Sequence, residues 1–410
     1  MATYAYTIKD ATGTLKKGTS EGENEQAVAR KLQDQGYTVV KIQVGKAAKA
    51  KSAGGGFGAV RLSDLSIFCR QFSTMVDAGV SLVRCLSVLG EQTTNPKLRR
   101  IINEIETDVQ GGQTVSKSMS KYPNVFSNLF IGLIKAGEVG GALEESLQRL
   151  STFLEKDMEL RRKVKGAMTY PVIVMVVALI IVIGLVTFIL PKFMDLFSEL
   201  DMGKNSMPVM TQMLMNFSHF LTSKWYIMLI IIAVFLAAFK AFVKTQIGRR
   251  TFDRIKLKAP VFGKLNHRIA ISRFARTLAT LLSSGVPILQ ALETVAGTVS
   301  NEIIGEAILN ARTRIREGDR IADPLQKSGL FPPMVVQMIS IGEESGALDQ
   351  MLTKIADFYE AEVDAALQSL TAAIEPLLIV FLGGAVGFIV IAMFMPLVVV
   401  INELASGGSE

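Results

Sequence analysis

FCRQFSTMVDAGV, running from Phe68 to Val80, returns as FARTLATLLSSGV from Phe274 to Val286. Phe68 and Phe274, Arg70 and Arg276, Thr74 and Thr280, and Gly79 and Gly285 all stand 206 residues apart. Further along, Gly137-Glu138 with Gly141-Ala142-Leu143 returns as Gly342-Glu343 with Gly346-Ala347-Leu348, at an offset of 205. Pro171 and Pro191, which bracket an apolar run, return as Pro376 and Pro396 at the same offset. A unit of this length is far above a solenoid period, so the chain carries a duplicated domain and not an array. Each copy closes on a stretch that reads as a membrane span.

A bilayer-crossing helix needs about 20 apolar residues. Val172–Leu190 and Leu377–Ile401 carry no charge, and Trp225–Phe239 lies between Lys224 and Lys240, whose side chains can snorkel to the interface. None of the three contains an ionisable residue, so a proton relay or ion path has no parts. The uncharged stretch Met207–Ser223 either extends the middle helix upstream or lies along the interface.

The flanking charges orient the spans. Arg161, Arg162, Lys163 and Lys165 precede the first, which puts the N-terminal part inside. Between Pro191 and Lys224 the charges balance, three basic against three acidic, so this loop is expected outside. From Lys240 to Arg268 there are nine Lys or Arg residues against Asp253 alone, a local excess of +8 in a chain whose net charge is +7. The positive charge is thus a belt beside a span, where it meets anionic lipid; nucleic acid is not an expected partner. The N-terminus shows no charged-then-apolar signal, so no cleaved secretory peptide is expected.

The composition agrees with a chain that is part bilayer and part aqueous, at 49% hydrophobic residues and a mean hydropathy of +0.36. Cys69 and Cys85 have Ala275 and Ala291 at the matching places of the second copy, which argues against a disulfide framework or a metal site and suits a reducing compartment. His219 and His267 are too few for a metal cluster.

Residues 4–44 read as a small α+β unit. Tyr4, Tyr6 and Ile8 alternate, Leu15 to Thr19 fits a returning strand, Glu25 to Gln35 a helix, and Val39 to Ile42 a further strand. A Gly-rich linker follows. Each repeat is then helical: Leu65, Phe68, Phe72, Met75 and Val76 share one helix face, Asn95-Pro96 starts another helix, and Leu143 to Lys165 feeds the first span. The expected fold is a mainly α integral membrane protein with two repeated cytoplasmic helical bundles, three transmembrane helices and a small N-terminal α+β unit. Its divisions are the unit at 1–44, the linker at 45–60, the first bundle at 61–168 and the first span at 169–190. A periplasmic loop at 191–224 and the second span at 225–243 follow. A basic segment with the second bundle at 244–375, the third span at 376–401 and a periplasmic tail at 402–410 complete the chain.

Four features compete for function. Gly79 and Gly285 read as helix C-caps that need left-handed backbone, and equally as exposed corners suited to docking. Glu138 and Glu343, with Glu344, Gly141 and Gly346, put carboxylates where a helix begins; they read as capping groups, as an acidic corner for a basic partner, or as oxygen ligands for a divalent cation, although no spacing matches a calcium loop. Pro171 and Pro376 read as packing kinks or as hinges between bundle and span. Gly383 and Gly387 give a GxxxG spacing suited to helix–helix packing in the third span. No phosphate-binding loop, nucleophile elbow, Cys-x-x-Cys pair or His–carboxylate cluster is present, so neither catalysis nor a cofactor is expected.

With two copies and three spans, the whole chain resembles the inner-membrane platform protein of type IV pilus and type II secretion machines. The resemblance rests on Phe68–Gly79 with Phe274–Gly285, Gly137–Leu143 with Gly342–Leu348, and Pro171 with Pro376. It implies a non-enzymatic, multi-pass protein of the bacterial inner membrane with its N-terminus in the cytoplasm, forming a homodimer. Its implied partners are the hexameric assembly and retraction ATPases, pilin subunits, inner-membrane alignment proteins and membrane lipid. The implied role is coupling the ATPase to insertion or removal of pilins at the base of a pilus, or of a pseudopilus in secretion. The chain departs from the shared pattern at Gly140-Gly141, which loosens the acidic corner of the first copy and makes the second the stronger contact if the corner docks.

Overall fold

A computed structural model describes residues 2–9, 15–22, 29, 38–44, 59–198, 208–260 and 262–406. The chain divides into two compact units, Met1–Ala59 and Val60–Glu410.

The first unit holds an antiparallel sheet of β1 (Ala2–Lys9), β2 (Leu15–Gly22) and β3 (Thr38–Val44), in the order β2-β1-β3. Tyr6 pairs with Gly18 on one side and Ile42 on the other, and the β1–β3 register slips between Thr7 and Ile8. The expected helix at 25–35, apart from residue 29, and the linker up to residue 58 lie outside the described residues.

The second unit is helical. Its first copy contains α1 (Leu62–Asp77), α2 (Leu82–Gln92), α3 (Pro96–Gln110), α4 (Val115–Met119), α5 (Asn128–Gly140) and the 42-residue α6 (Leu143–Gly184). A π-helical turn, Leu185–Ile189, leads into α7 (Leu190–Ser198). Then come α8 (Val209–Ser223), α9 (Trp225–Lys244) and α10 (Gln246–Lys258). The second copy contains α11 (Phe262–Ser283), α12 (Ile288–Thr298), α13 (Glu302–Arg316), α14 (Ala322–Lys327), α15 (Pro333–Ser345) and the 59-residue α16 (Leu348–Ser406).

Matching residues shape matching elements. Asn95 Oδ1 accepts from the N–H groups of Lys97 and Leu98 at 3.1 and 3.3 Å, and Asn301 does the same for Ile303 and Ile304 at 3.0 and 3.3 Å. Gly79 (φ +75°) and Gly285 (φ +77°) close α1 and α11 in left-handed backbone, which only glycine adopts without strain. The following amides then reach back, Val80 to Met75 and Val286 to Leu281, both at 3.0 Å.

Packing joins the copies. Phe68, Phe72, Ile102, Phe130 and Leu147 of the first belong to one continuous cluster with Phe274, Leu278, Ile304, Ile339 and Ile355 of the second. Asp157 on α6 accepts an ion pair from Arg273 on α11 at 3.1 Å, with both side chains largely buried. The two bundles are therefore lobes of one core. Periodicity reveals which face of each helix is apolar but not which neighbour covers it. Cys69 and Cys85 are free thiols in this core, and burial raises the pKa of both.

Among the described residues, three helices are long and apolar enough to cross a membrane, within Leu143–Phe193, Tyr226–Lys244 and Leu348–Val399. Their large apolar side chains, including Val172, Ile180, Phe235, Val380 and Ile391, face outward, as a helix in lipid requires. At 20 residues, α9 rises about 30 Å, one hydrocarbon thickness. The 191–224 stretch carries α7 and α8, and α8 packs with the far ends of the first and third spans around Val186, Leu214 and Ile389. A break at Lys224 separates it from α9.

Candidate functional site

The duplicated glycine–glutamate corners lie where α5 turns into α6 and α15 into α16. Gly137 and Gly342 stand in tight contact with the helix that follows. A Cβ on Gly137 would meet Ser146 Oγ at 2.6 Å and Leu143 Cα at 2.9 Å, and one on Gly342 would meet Leu348 Cα at 2.9 Å. Gly141 and Gly346 then cap α5 and α15 in left-handed backbone.

The next residue in each copy, Glu138 or Glu343, points away from its own hairpin and across to the loop before the short helix. Glu138 accepts from the N–H of Val115 at 2.5 Å, from the N–H of Ser116 at 3.1 Å and from the Ser116 hydroxyl. Both carboxylate oxygens of Glu343 accept from the N–H of Ile321, at 3.0 and 2.9 Å. Each carboxylate thus supplies acceptors to the unpaired amides at the start of α4 or α14, where the helix end is positive. Neither short helix shows in the sequence pattern, since five or six residues are too few for a period. The shared offset of the two glutamates is the signal that marks them as a pair.

What faces solvent differs between the copies. In the second, exposed Glu344 pairs with Arg320 at 2.8 Å. In the first, α1 packs against α6 and brings the Gly79 corner beside the Gly141 corner. Glu144 there lies in hydrogen-bonding range of Asp77, and that like-charged neighbour raises the Glu144 carboxyl above its usual value. Ser283 and Asp349 hold the corresponding places in the second copy. Among the described residues, no three His, Cys, Asp or Glu side chains converge as metal ligands.

A second repeated constellation carries each stalk. Arg70 Nε and Nη2 both reach Glu155, at 2.9 and 2.6 Å. Arg276 Nε reaches Glu360 at 2.9 Å, and its Nη2 reaches Asp357 at 2.6 Å. Forked pairs of this kind fix the angle between two helices as well as joining them. In the sequence the two arginines stand out only as landmarks of the repeat; the matching spacing of Glu155 and Glu360 is the signal for this part.

Pro171 and Pro376 lie inside α6 and α16, both continuous helices. Pro171 lines an apolar cavity of about 440 Å³ where the stalks meet the membrane, together with Val172, Phe262, Ile374 and Leu377. Among the described residues, no atom lies within 4 Å of a Cβ built on Gly383 or Gly387, so none of them covers that face of the third span.

Two family models match. The model described as "Type II secretion system (T2SS), protein F" matches twice, over residues 68–191 and 274–396, and "Type II secretion system protein F, N-terminal domain" matches residues 1–43. The chain is 44% identical to a "Type IV pilus assembly protein PilC" of Thermus thermophilus, over 99% of this chain and 100% of that protein. It is 42% identical to the protein of the same name from Myxococcus xanthus, over 97% and 94% of the two chains. It is 35% identical to a "Type II secretion system protein F" of Vibrio cholerae, over 99% and 100%. Both copies and the N-terminal sheet fall under one description, and the chain belongs to the type II secretion system protein F family, the platform proteins of type IV pilus and type II secretion assembly.

Proposed function

We propose that this chain is the inner-membrane platform of a type IV pilus assembly machine and is not itself an enzyme. Its bundles face the cytoplasm and engage a hexameric ATPase, while its spans meet pilin subunits. The observation that favours pili is the full-length identity of 44% and 42% to proteins named for pilus assembly, against 35% and 31% to those named for type II secretion. Secretion, with a pseudopilus in place of the pilus, is the second reading. Deleting the gene in the source bacterium is expected to remove surface pili and leave secreted proteins unchanged; the reverse result selects the second reading.

Several features support the finer parts. The basic belt after α9 supports a cytoplasmic position for α10 and the bundles, and Arg249 and Arg250 hold α10 to α13 through Glu302 and Glu306, at 2.7 and 2.9 Å. Continuous helices join each corner to a span, so a push on a bundle passes into the membrane without a loop in between. Among the predicted contact residues, the corner of the first copy is the better docking point for a basic partner. There Asp77 and Glu144 concentrate negative charge, whereas Glu343 caps α14 and Glu344 is paired. We assign the uncovered Gly383–Gly387 face to a second copy, giving the homodimer. A pull-down of the full-length protein with the ATPase is expected to weaken when Asp77→Asn and Glu144→Gln are combined. Unchanged capture would remove this corner from the interface.

A further inference from the structure

The first and third spans each carry a second proline near the far end, Pro191 and Pro396. Proline has no N–H, so each leaves one helix carbonyl without its backbone donor. In α16 that carbonyl belongs to Ala392, four residues before Pro396. In the first span the backbone shifts register over Leu185–Ile189, where the N–H of Leu190 donates to Leu185. Position 191 would be the next donor in that register, and the carbonyl it fails to serve is that of Val186.

Both carbonyls are taken by hydroxyls of a single helix. Thr211 Oγ1 donates to the Ala392 carbonyl at 2.6 Å, and Ser218 Oγ donates to the Val186 carbonyl at 2.7 Å. Thr211, Leu214 and Ser218 are the buried residues of α8, spaced at three and four so that they share one face. They sit in an otherwise apolar junction with Leu190, Ile389 and Met393. Two buried hydroxyls meet the two carbonyls that the duplicated prolines release.

We infer that α8 is a two-point latch that completes the backbone of both spans at their repeat-related prolines and pins their far ends together. Unseating it would leave both carbonyls without a donor in an apolar junction, so the seated state is preferred. The prolines at the other end of the spans have no such partner. The carbonyls deprived by Pro171 and Pro376 belong to Ala167 and Ala372, and no described side chain donates to them. Both residues line a cavity of about 580 Å³ between the stalks, with Lys163 and Asp364. Bending is therefore directed to residues 171 and 376 and arrested at 191 and 396.

The test is a mutant cycle on the full-length protein in lipid nanodiscs. It reads the thermal unfolding midpoint and the rate of disulfide trapping between Phe193→Cys and Phe394→Cys, whose parent rings lie 5.8 Å apart. Cys69→Ala and Cys85→Ala clear the background, copying the alanines of the second copy. Thr211→Val and Ser218→Ala are each expected to lower the midpoint and slow trapping. Pro396→Ala restores the N–H at position 396 and is expected to erase the cost of Thr211→Val while leaving that of Ser218→Ala. Pro191→Ala does the converse. Costs that simply add, or no cost from either hydroxyl variant, would overturn the latch. If a proline variant does not fold, Thr211→Ser decides: it must behave as wild type, and a midpoint matching Thr211→Val overturns the pairing.

Discussion

Glu138 and Glu343 show how much a single carboxylate does here. Each is adjacent in sequence to one helix turn and acts on another more than 20 residues upstream. Glu138 receives three donors and Glu343 one, so Glu138→Ala is expected to destabilise the protein more, by about 1–2 kcal/mol, near the upper range for a lost cap. Chemical denaturation of the pair of variants would show that order. Tyr122 offers a pH test. Its hydroxyl donates to Glu104, and burial, followed by that bond, raises it to about 12. The bond to Tyr122, followed by that to Arg100, lowers Glu104. A raised tyrosine stabilises the fold fully below its unfolded pKa, near 10, and this contribution disappears as pH climbs toward 12. Glu104 contributes above its unfolded value and loses that contribution in acid. Tyr122→Phe is expected to flatten the alkaline limb of a stability–pH profile, whereas an unchanged limb would assign it to other groups. The glycine–glutamate pairs stand out in the sequence as pairs. The targets of the glutamates did not, because the bond spans a loop whose path no local pattern encodes.

Elements whose boundaries rest on local chemistry were legible: Asn95-Pro96 opens a helix, Gly79 and Gly285 end one, and uncharged runs mark the spans. Elements that depend on neighbours were not. The short helices α4 and α14 are held by a distant carboxylate. The π-helical turn lies just before Pro191, and its Val186 carbonyl accepts from Ser218 of another helix. The placement of α8 against the spans depends on buried hydroxyls that look like ordinary Thr and Ser. Close approach within an element pair gives a sharp prediction. Gly137→Ala and Gly342→Ala push a methyl into the backbone of the following helix and are each expected to cost about 1–3 kcal/mol. Gly166→Ala, in the open interior of α6 with nothing within 4 Å, is expected to be neutral or stabilising by about 0.5–1 kcal/mol. Thermal midpoints of the three variants would separate packing from intrinsic helix preference.

For the molecule as a whole, duplication was visible from the offset alone, but the joining of the copies into one core was not. Two similar units could equally stand apart on a linker; what fuses them is the apolar surface shared between the lobes and the Arg273–Asp157 pair. Burial lowers the Arg273 guanidinium pKa, and Asp157 opposes the shift, so removing the carboxylate leaves a poorly solvated charge. Calorimetry is expected to show a single transition for residues 60–410 in the wild type. Asp157→Ala is expected to lower its midpoint and to separate the lobes into two transitions. Two transitions already present in the wild type would mean that the shared core does not make the lobes cooperative.

The lengths of α6 and α16 carry a geometric consequence. At 42 residues, α6 is about 60 Å long. A tilt of roughly five degrees at its glycine corner, with the helix held straight at Pro171, therefore moves its far end by about 5 Å, close to the pitch of one helical turn. Side-chain ridges repeat along a helix on that scale, so so small a rotation of a bundle suffices to shift a neighbouring helix from one groove to the next. A lever with a stroke of a single notch would need no other proportions.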